Sequence, residues 1–169
     1  MLIGGDGNDE LRDYDDRNLF YGGNGNDRIF DGNGASTMWG GSGNDTIVAE
    51  GGADLLYGEA GDDYLNGGAG ADRLYGGSGN DYMLGGTGAD VFVFELGNGI
   101  DRIGDFELGL DRVEIASAAV GGMTDPAAVV AAYGVVGPGY VDLYFGSGEL
   151  IRFLGLTSLD GLANDLVIV

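Results

Sequence analysis

The sequence predicts an all-β fold: a right-handed parallel β-roll over residues 1–93, followed by a mostly β cap with one short helix over residues 94–169. Three features predict it: a nine-residue interval that never slips, a fixed apolar place within it, and glycines where the chain must turn. Cut from Gly4, the chain divides without insertion into GGDGNDELR, DYDDRNLFY, GGNGNDRIF, DGNGASTMW, GGSGNDTIV, AEGGADLLY, GEAGDDYLN, GGAGADRLY, GGSGNDYML and GGTGADVFV. The eighth place is always apolar: Leu11, Phe20, Ile29, Met38, Ile47, Leu56, Leu65, Leu74, Met83 and Phe92. The sixth is Asp in eight units, as Asp9, Asp27, Asp45, Asp54, Asp63, Asp72, Asp81 and Asp90. Two chemically different places locked to one phase call for a periodic backbone. A flexible glycine-rich linker would show neither.

Within a unit, glycines at the first, second and fourth places admit positive φ and a tight turn that aims several carbonyls the same way. The last three places form a short strand whose middle side chain faces opposite to its neighbours. Two such strands and two turns make an eighteen-residue coil around a thin apolar interior. Extending the frame backwards puts Leu2 in an eighth place, so the chain is expected to begin inside a repeat and to belong to a longer parent.

Residues 94–169 lose the interval. "TDPAAVVAAYG" predicts a helix with Thr124 or Asp125 as N-cap, Pro126 in its first turn and Gly134 just past its end. "YVDLYFGSGELIRFLG" predicts two strands around a Gly-Ser-Gly turn, with Val141, Leu143 and Phe145 alternating against Asp142 and Tyr144. Together these should cover the open end of the roll, where unpaired backbone and interior would otherwise face water.

Charge and missing residue types narrow the function. The 28 acidic and seven basic residues leave a net charge of -21, which disfavours nucleic acid or an anionic membrane and favours cations. There is no cysteine or histidine, which removes disulfides, thiolate sites and imidazole ligands. The most apolar stretch, "VVAAYGVVGPGYV", is interrupted by Gly134, Gly137, Pro138 and Gly139, so direct membrane insertion is not expected. "MLIGGDGNDE" has neither the basic start nor the apolar core of a signal peptide. No nucleophile, base and acid are assembled, so no catalytic residue is assigned and the chain is not expected to be an enzyme. Asp62, beside Asp63, is taken as a turn residue.

Turn carbonyls followed by a fixed carboxylate make a hard-oxygen donor set of the kind Ca²⁺ prefers and the stricter Mg²⁺ does not. The candidate ligands are the eight sixth-place aspartates together with turn residues at the first and third places. Those turn residues are Gly4, Asp6, Gly22, Asn24, Gly40, Ser42, Gly58, Ala60, Gly67, Ala69, Gly76, Ser78, Gly85 and Thr87. Asp101 and Asp105, one strand past the last unit, are candidates to complete a further site.

GGxGxDxUx, with U apolar, is the nonapeptide of the repeats-in-toxin (RTX, haemolysin-type) calcium-binding repeat, and residues 4–93 closely resemble it. The following "FELGNGIDRIGDFELGLDRVEIA" resembles the segment that closes the roll in serralysin-type secreted proteins. The resemblance implies Ca²⁺ between turns on the same side, disorder without calcium, and type I export read from an uncleaved C-terminal signal, which "NDLVIV" resembles. An extracellular folding and secretion module is therefore expected. The competing reading is a calcium-dependent polysaccharide- or cell-surface-binding module.

Turns two units apart stack, so one row reads Asp9, Asp27, Asp45, Asp63, Asp81 and the other Asn18, Ser36, Asp54, Asp72, Asp90. Counting an ion between consecutive aspartates predicts about six, or up to eight if Asp101, Asp105 or a half-site contributes, and none between the turns of Asn18 and Ser36. The ninth places of the second row's units, Tyr21, Trp39, Tyr57 and Tyr75, form an aromatic stripe on the outer face. Such a stripe marks an interface. Burial of Trp39 under the C-terminal segment or the parent's other domain is expected first, self-association second, and a sugar platform last.

Overall fold

The computed structural model describes residues 1–14, 17–95, 97–146 and 148–169. Its strands through the repeats are β1 (Leu2–Asp6), β2 (Glu10–Arg12), β3 (Leu19–Asn24), β4 (Arg28–Phe30), β5 (Thr37–Ser42), β6 (Thr46–Val48), β7 (Gly51–Gly52), β8 (Leu55–Ala60), β9 (Tyr64–Gly70), β10 (Arg73–Ser78), β11 (Tyr82–Thr87) and β12 (Val91–Phe94). Beyond them come β13 (Ile100–Ile103), β14 (Arg112–Ile115), α1 (Pro126–Tyr133), β15 (Gly134–Gly137), β16 (Tyr140–Tyr144), β17 (Leu150–Leu154), α2 (Leu162–Asp165) and β18 (Leu166–Ile168).

The chain winds between two sheets, and every strand of the roll pairs in parallel with the strand one coil away. One sheet runs β1-β3-β5-β8-β10-β12-β14-β18; the other runs β15-β16-β17-β13-β11-β9-β6-β4-β2, with β7 beside β9. The register joins equivalent places: Phe20 opposes Met38, Met38 opposes Leu56, and Ile47 opposes Leu65. Leu2 opposes Phe20, the eighth place its frame assigns it. All ten eighth-place side chains are buried, from Phe20 to Phe92 completely, so the interior is one layer of side chains between the sheets. One apolar side chain per nine residues is little to set against the conformational entropy of ordering them.

Both sheets continue past Phe94. Strand β13 joins β11 with Arg102 opposite Tyr82, and β14 joins β12 with Arg112 opposite Val91, so the period stretches from 18 to 20 and 21 residues. β17 then adds to β13 and β18 to β14, both in parallel. The hairpin β16–β17 turns the end antiparallel, and its Val141, Leu143, Ile151 and Phe153 extend the interior. Helix α1 matches its sequence signals, with Asp125 as N-cap accepting from the Ala127 N–H at 3.0 Å, Pro126 in the first turn and Gly134 as C-cap.

Three expectations for this region need correction. A second helix, the four-residue α2, stands beside the one expected. Strand β15 pairs antiparallel with β16 in a stretch read only for its hydropathy. Asp142 alternates to the outer face as expected but is not exposed there, because Arg152, opposite it in the hairpin, grips it with two hydrogen bonds of 2.8 Å. Ser147, in the expected Gly-Ser-Gly turn, lies outside the described residues.

The outer aromatic stripe also differs from expectation. The C-terminal strands extend the two sheets along the roll axis, so they cap its end and leave the stripe's face uncovered. Trp39 is half-buried, and what covers its ring is the stripe itself. It stacks on Tyr21 at 4.5 Å and on Tyr57 at 5.6 Å, and Tyr57 stacks on Tyr75 at 4.6 Å.

Candidate metal centre

Units alternate in direction across the roll, so their turns form two rows on opposite edges, each turn stacked on the one a coil away. Close stacking explains the glycines. At Gly23, φ is +118°, and a Cβ there would overlap the carbonyl oxygen of Gly5. At Gly4 the crowding comes from the turn's own carboxylate: a Cβ would lie 2.7 Å from Asp9 Oδ2 and 2.6 Å from the Gly22 carbonyl oxygen. Gly67 shows the same convergence, between Asp72 Oδ2 and the Gly85 carbonyl oxygen. The first-place glycine thus leaves room where a carboxylate oxygen and a carbonyl oxygen approach one point.

The sixth-place side chains form a ladder in each row. In the first, the backbone N–H of Asp9 donates to Oδ1 of Asp27, Asp27 to Asp45, Asp45 to Asp63 and Asp63 to Asp81, at 2.7–2.9 Å. Asp101 continues it, accepting from the Asp81 N–H at 2.9 Å. In the second row the N–H of Asn18 donates to Ser36 Oγ, Ser36 to Asp54, Asp54 to Asp72 and Asp72 to Asp90. Asp111, which sequence reasoning did not single out, extends that row by accepting from the Asp90 N–H at 3.1 Å. Asp105 sits at the same end and accepts instead from the N–H groups of Gly85 and Gly86. Burial raises the carboxyls of both Asp90 and Asp111, and the nearby Asp105 charge adds a smaller push in the same direction.

Only one oxygen of each rung is used. Oδ2 of Asp9, Asp27, Asp45, Asp54, Asp63, Asp72, Asp81, Asp90 and Asp101 is buried with no hydrogen-bond partner. A buried, unpartnered carboxylate oxygen is strongly unfavourable unless neutralised. In the metal-free chain, burial pushes the carboxyls of Asp45, Asp81 and Asp90 up to about 6, those of Asp54 and Asp63 to about 7 and that of Asp101 to about 8. The backbone N–H each accepts holds the rise back. Among the described residues no three carboxylates converge on one point. The donor set is therefore carboxylate oxygens mixed with main-chain carbonyls, which suits a hard divalent cation such as Ca²⁺.

The third-place residues present their side chains outward. Asn24 donates to Asp6 Oδ1 at 2.7 Å and Ser42 Oγ donates to Asn24 Oδ1 at 2.8 Å, both exposed. Their carbonyls already accept one bond: Asn24 from the Gly7 N–H, Ser42 from Gly25, Ala60 from Gly43 and Ser78 from Gly61. A carbonyl has a second lone pair, so these can still serve a cation.

A further ladder was missed. The N–H of Asn26 donates to Asn8 Oδ1, Asn44 to Asn26, Asp62 to Asn44 and Asn80 to Asp62, at 2.8–3.1 Å. It runs opposite to the sixth-place ladder beside it and makes Asp62 a rung. The signal was in the fifth place, which reads Asn8, Asn26, Asn44, Asp62 and Asn80 in this row but Arg17, Ala35, Ala53, Ala71 and Ala89 in the other.

A parallel roll with carboxylate ladders facing turn carbonyls defines a calcium-binding repeat domain. The RTX calcium-binding nonapeptide repeat (4 copies) matches residues 3–38, 21–56, 30–65, 39–74, 57–92 and 66–103, more than half of the chain. The chain belongs to this family, whose repeats bind Ca²⁺. No curated protein matches it. Among solved structures 28 chains do. One is the extracellular lipase LipA from Serratia marcescens, at a TM-score of 0.51 and 19% identity over 98% of this chain. The present chain covers 39% of that lipase, and at this identity the likeness is one of fold.

Proposed function

We propose that this β-roll is the calcium-dependent folding module of a larger extracellular protein, which it stabilises and helps to export by a type I system. The observation that carries the reading is the run of buried Oδ2 atoms without partners along both rows of turns. Without a cation, stacked carboxylates repel or must take up protons, and the one-layer interior is too small to hold the glycine-rich coils together. Neutralising neighbouring rungs with Ca²⁺ makes ion binding and coil closure one event. Extracellular modules bind calcium with Kd of roughly 10⁻⁴ to 10⁻³ M, so such a chain stays open in a calcium-poor cytoplasm and closes outside.

In this reading residues 1–93 form the roll proper, residues 94–169 its cap and secretion segment, and catalysis resides elsewhere in the parent. Consecutive pairs of Asp rungs number five in the first row and three in the second, so about eight ions are proposed, Asp101 and Asp111 supplying the end sites.

Titrating Ca²⁺ into chelated protein while following far-UV circular dichroism should show a cooperative gain of β-structure, with Mg²⁺ a poor substitute. Full β-structure in excess chelator would overturn the reading. Export is tested by fusing residues 1–169 to a reporter in a bacterium carrying a type I exporter, where removal of residues 94–169 should keep the reporter inside.

The polysaccharide-binding alternative rests on the uncovered stripe, which borders an open groove of about 400 Å³ beside Tyr21 and Trp39. Its rings turn their faces to one another rather than outward. Sugars stack on free ring faces, so this arrangement favours the folding module.

A further inference from the structure

The sixth-place ladders, with Asp101 continuing the first, account for nine of the ten buried Oδ2 atoms without partners; the tenth belongs to Asp31. Asp31 stands at the first place of its unit, where eight-residue spacing to Trp39 would ordinarily begin with glycine. Its side chain is fully buried, and only one oxygen is used, Oδ1 accepting from Asn18 Nδ2 at 3.2 Å.

The sequence around it shows a compensation. Two units lack the sixth-place Asp, and both carry Asp at the first place: Asp13 with Asn18, and Asp31 with Ser36. No unit with a sixth-place Asp has an acidic first place. Sterics account for the exclusion. In a regular turn Oδ2 of the sixth residue folds back over the first, as Asp9 does over Gly4, so carboxylates at both places would compete for one space.

Ser36 makes that space available. Its Oγ accepts the Asn18 N–H at 2.9 Å, the role Oδ1 plays at the other rungs, but serine has no second oxygen. The missing oxygen is the one Asp31 offers. The next rung, Asp54, donates nothing to Asp31 and keeps its own Oδ2 buried and without a partner, while its Oδ1 accepts from the Ser36 N–H at 2.7 Å.

We propose that Asp31 is a calcium ligand: in this unit the metal-binding carboxylate is transposed from the sixth place to the first, and with Asp54 it holds an additional Ca²⁺ between the turns of Ser36 and Asp54. The inference rests on the calcium reading of the regular rungs and extends it to a turn that the nonapeptide pattern leaves without a carboxylate. The site adds a fourth ion to the second row, beyond the three between Asp54, Asp72, Asp90 and Asp111, and carries that row one coil closer to the N-terminus.

Counting bound calcium in the folded protein, by equilibrium dialysis with atomic emission, tests this. Asp31→Asn keeps an oxygen to accept from Asn18 and should bind one ion fewer than the wild-type chain. The double variant Asp31→Gly/Ser36→Asp rebuilds a regular turn and should bind the wild-type number. An unchanged count and affinity in Asp31→Asn overturns the proposal. So does a double variant that binds one ion more than wild type, since that gain means the turn held none before; this second outcome decides the matter even if Asp31→Asn fails to fold. A wild-type chain that takes up no calcium overturns the calcium reading itself, and this inference with it.

Discussion

The backbone N–H of Asp63 donates to Oδ1 of Asp81 at 2.9 Å, while Oδ2 of both carboxylates is buried with no partner. One oxygen ties neighbouring coils together, and the other makes that tie costly unless a proton or a cation arrives. Each rung therefore couples coil-to-coil pairing to neutralisation, and the same relation recurs along both rows.

Protons should substitute in part for calcium. The folded carboxyls of Asp45, Asp81 and Asp90 lie at about 6, those of Asp54 and Asp63 at about 7 and that of Asp101 at about 8, above an unfolded value of about 3.9. A raised folded pKa means that the folded state holds more protons, so its contribution is fully present below pH of about 4 and is lost as pH rises through about 6 to 8. Chelated protein should gain far-UV β-signal when moved from pH 8 to pH 5, and its calcium affinity should fall over the same interval. A chelated spectrum independent of pH would contradict this.

Interior rungs should matter more than terminal ones. Asp45 stands between Asp27 and Asp63, so Asp45→Ala should take a carboxylate from two of the proposed sites, whereas Asp9→Ala at the first rung should affect one. Asp45→Ala also leaves the buried Asp27 N–H without its acceptor, a cost of about 1–3 kcal/mol apart from calcium. Calorimetric titration should show two ions lost or weakened in Asp45→Ala and one in Asp9→Ala. Ser36→Ala, which removes no carboxylate, should cost less calcium affinity than Asp45→Ala.

The repeats were legible because each place has one job. An apolar eighth place can only face the interior, and a glycine with φ of +118° pressed against the carbonyl of Gly5 can only be glycine. Legibility failed where the period stretched. Asp111 lies 21 residues after Asp90, so a count in nines passes it by, although Asp111, Arg112 and Val113 repeat the Asp-x-apolar order of Asp90, Val91 and Phe92. It failed again where the partner is distant in sequence: Asp142 looks like an exposed residue until Arg152 is placed across the hairpin and covers it. The aromatic stripe was legible as a ladder, but ring-on-ring covering follows only from strand pairing that sets Tyr21 opposite Trp39 and Trp39 opposite Tyr57.

That stacking gives the stripe a structural role that can be measured. Trp39 makes two stacked contacts, each worth about 0.5–1.5 kcal/mol beyond area burial, so Trp39→Ala should destabilise the calcium-loaded protein by roughly 1–3 kcal/mol. In dilute calcium-loaded wild type, iodide should quench Trp39 only partly, because the ring's faces are covered and its edge is not. Quenching as strong as that of free tryptophan, or protection on adding a polysaccharide, would return the stripe to the role of a sugar platform.

The cap should protect the last calcium rung through one ion pair. Asp142 is buried at 1% exposure, and Arg152 holds both of its oxygens at 2.8 Å while lying 4.2 Å over the Tyr140 ring. Removing the cation leaves a buried carboxylate uncompensated. The cost is on the order of 2–3 kcal/mol for Arg152→Met, below the ~3–5 kcal/mol of fully buried pairs because Arg152 is partly exposed. Strand β17, which carries Arg152, pairs with β13 and sets Ile151 opposite Asp101, the terminal rung of the first row. Loosening β17 should therefore weaken the ion between Asp81 and Asp101 before any interior ion. A calcium titration of Arg152→Met should show one site of reduced affinity with the others unchanged, and Asp142→Leu/Arg152→Leu, which removes both charges, should recover most of the lost thermal stability. Uniform weakening of all sites, or no recovery in the double variant, would mean that the pair does not act through the cap.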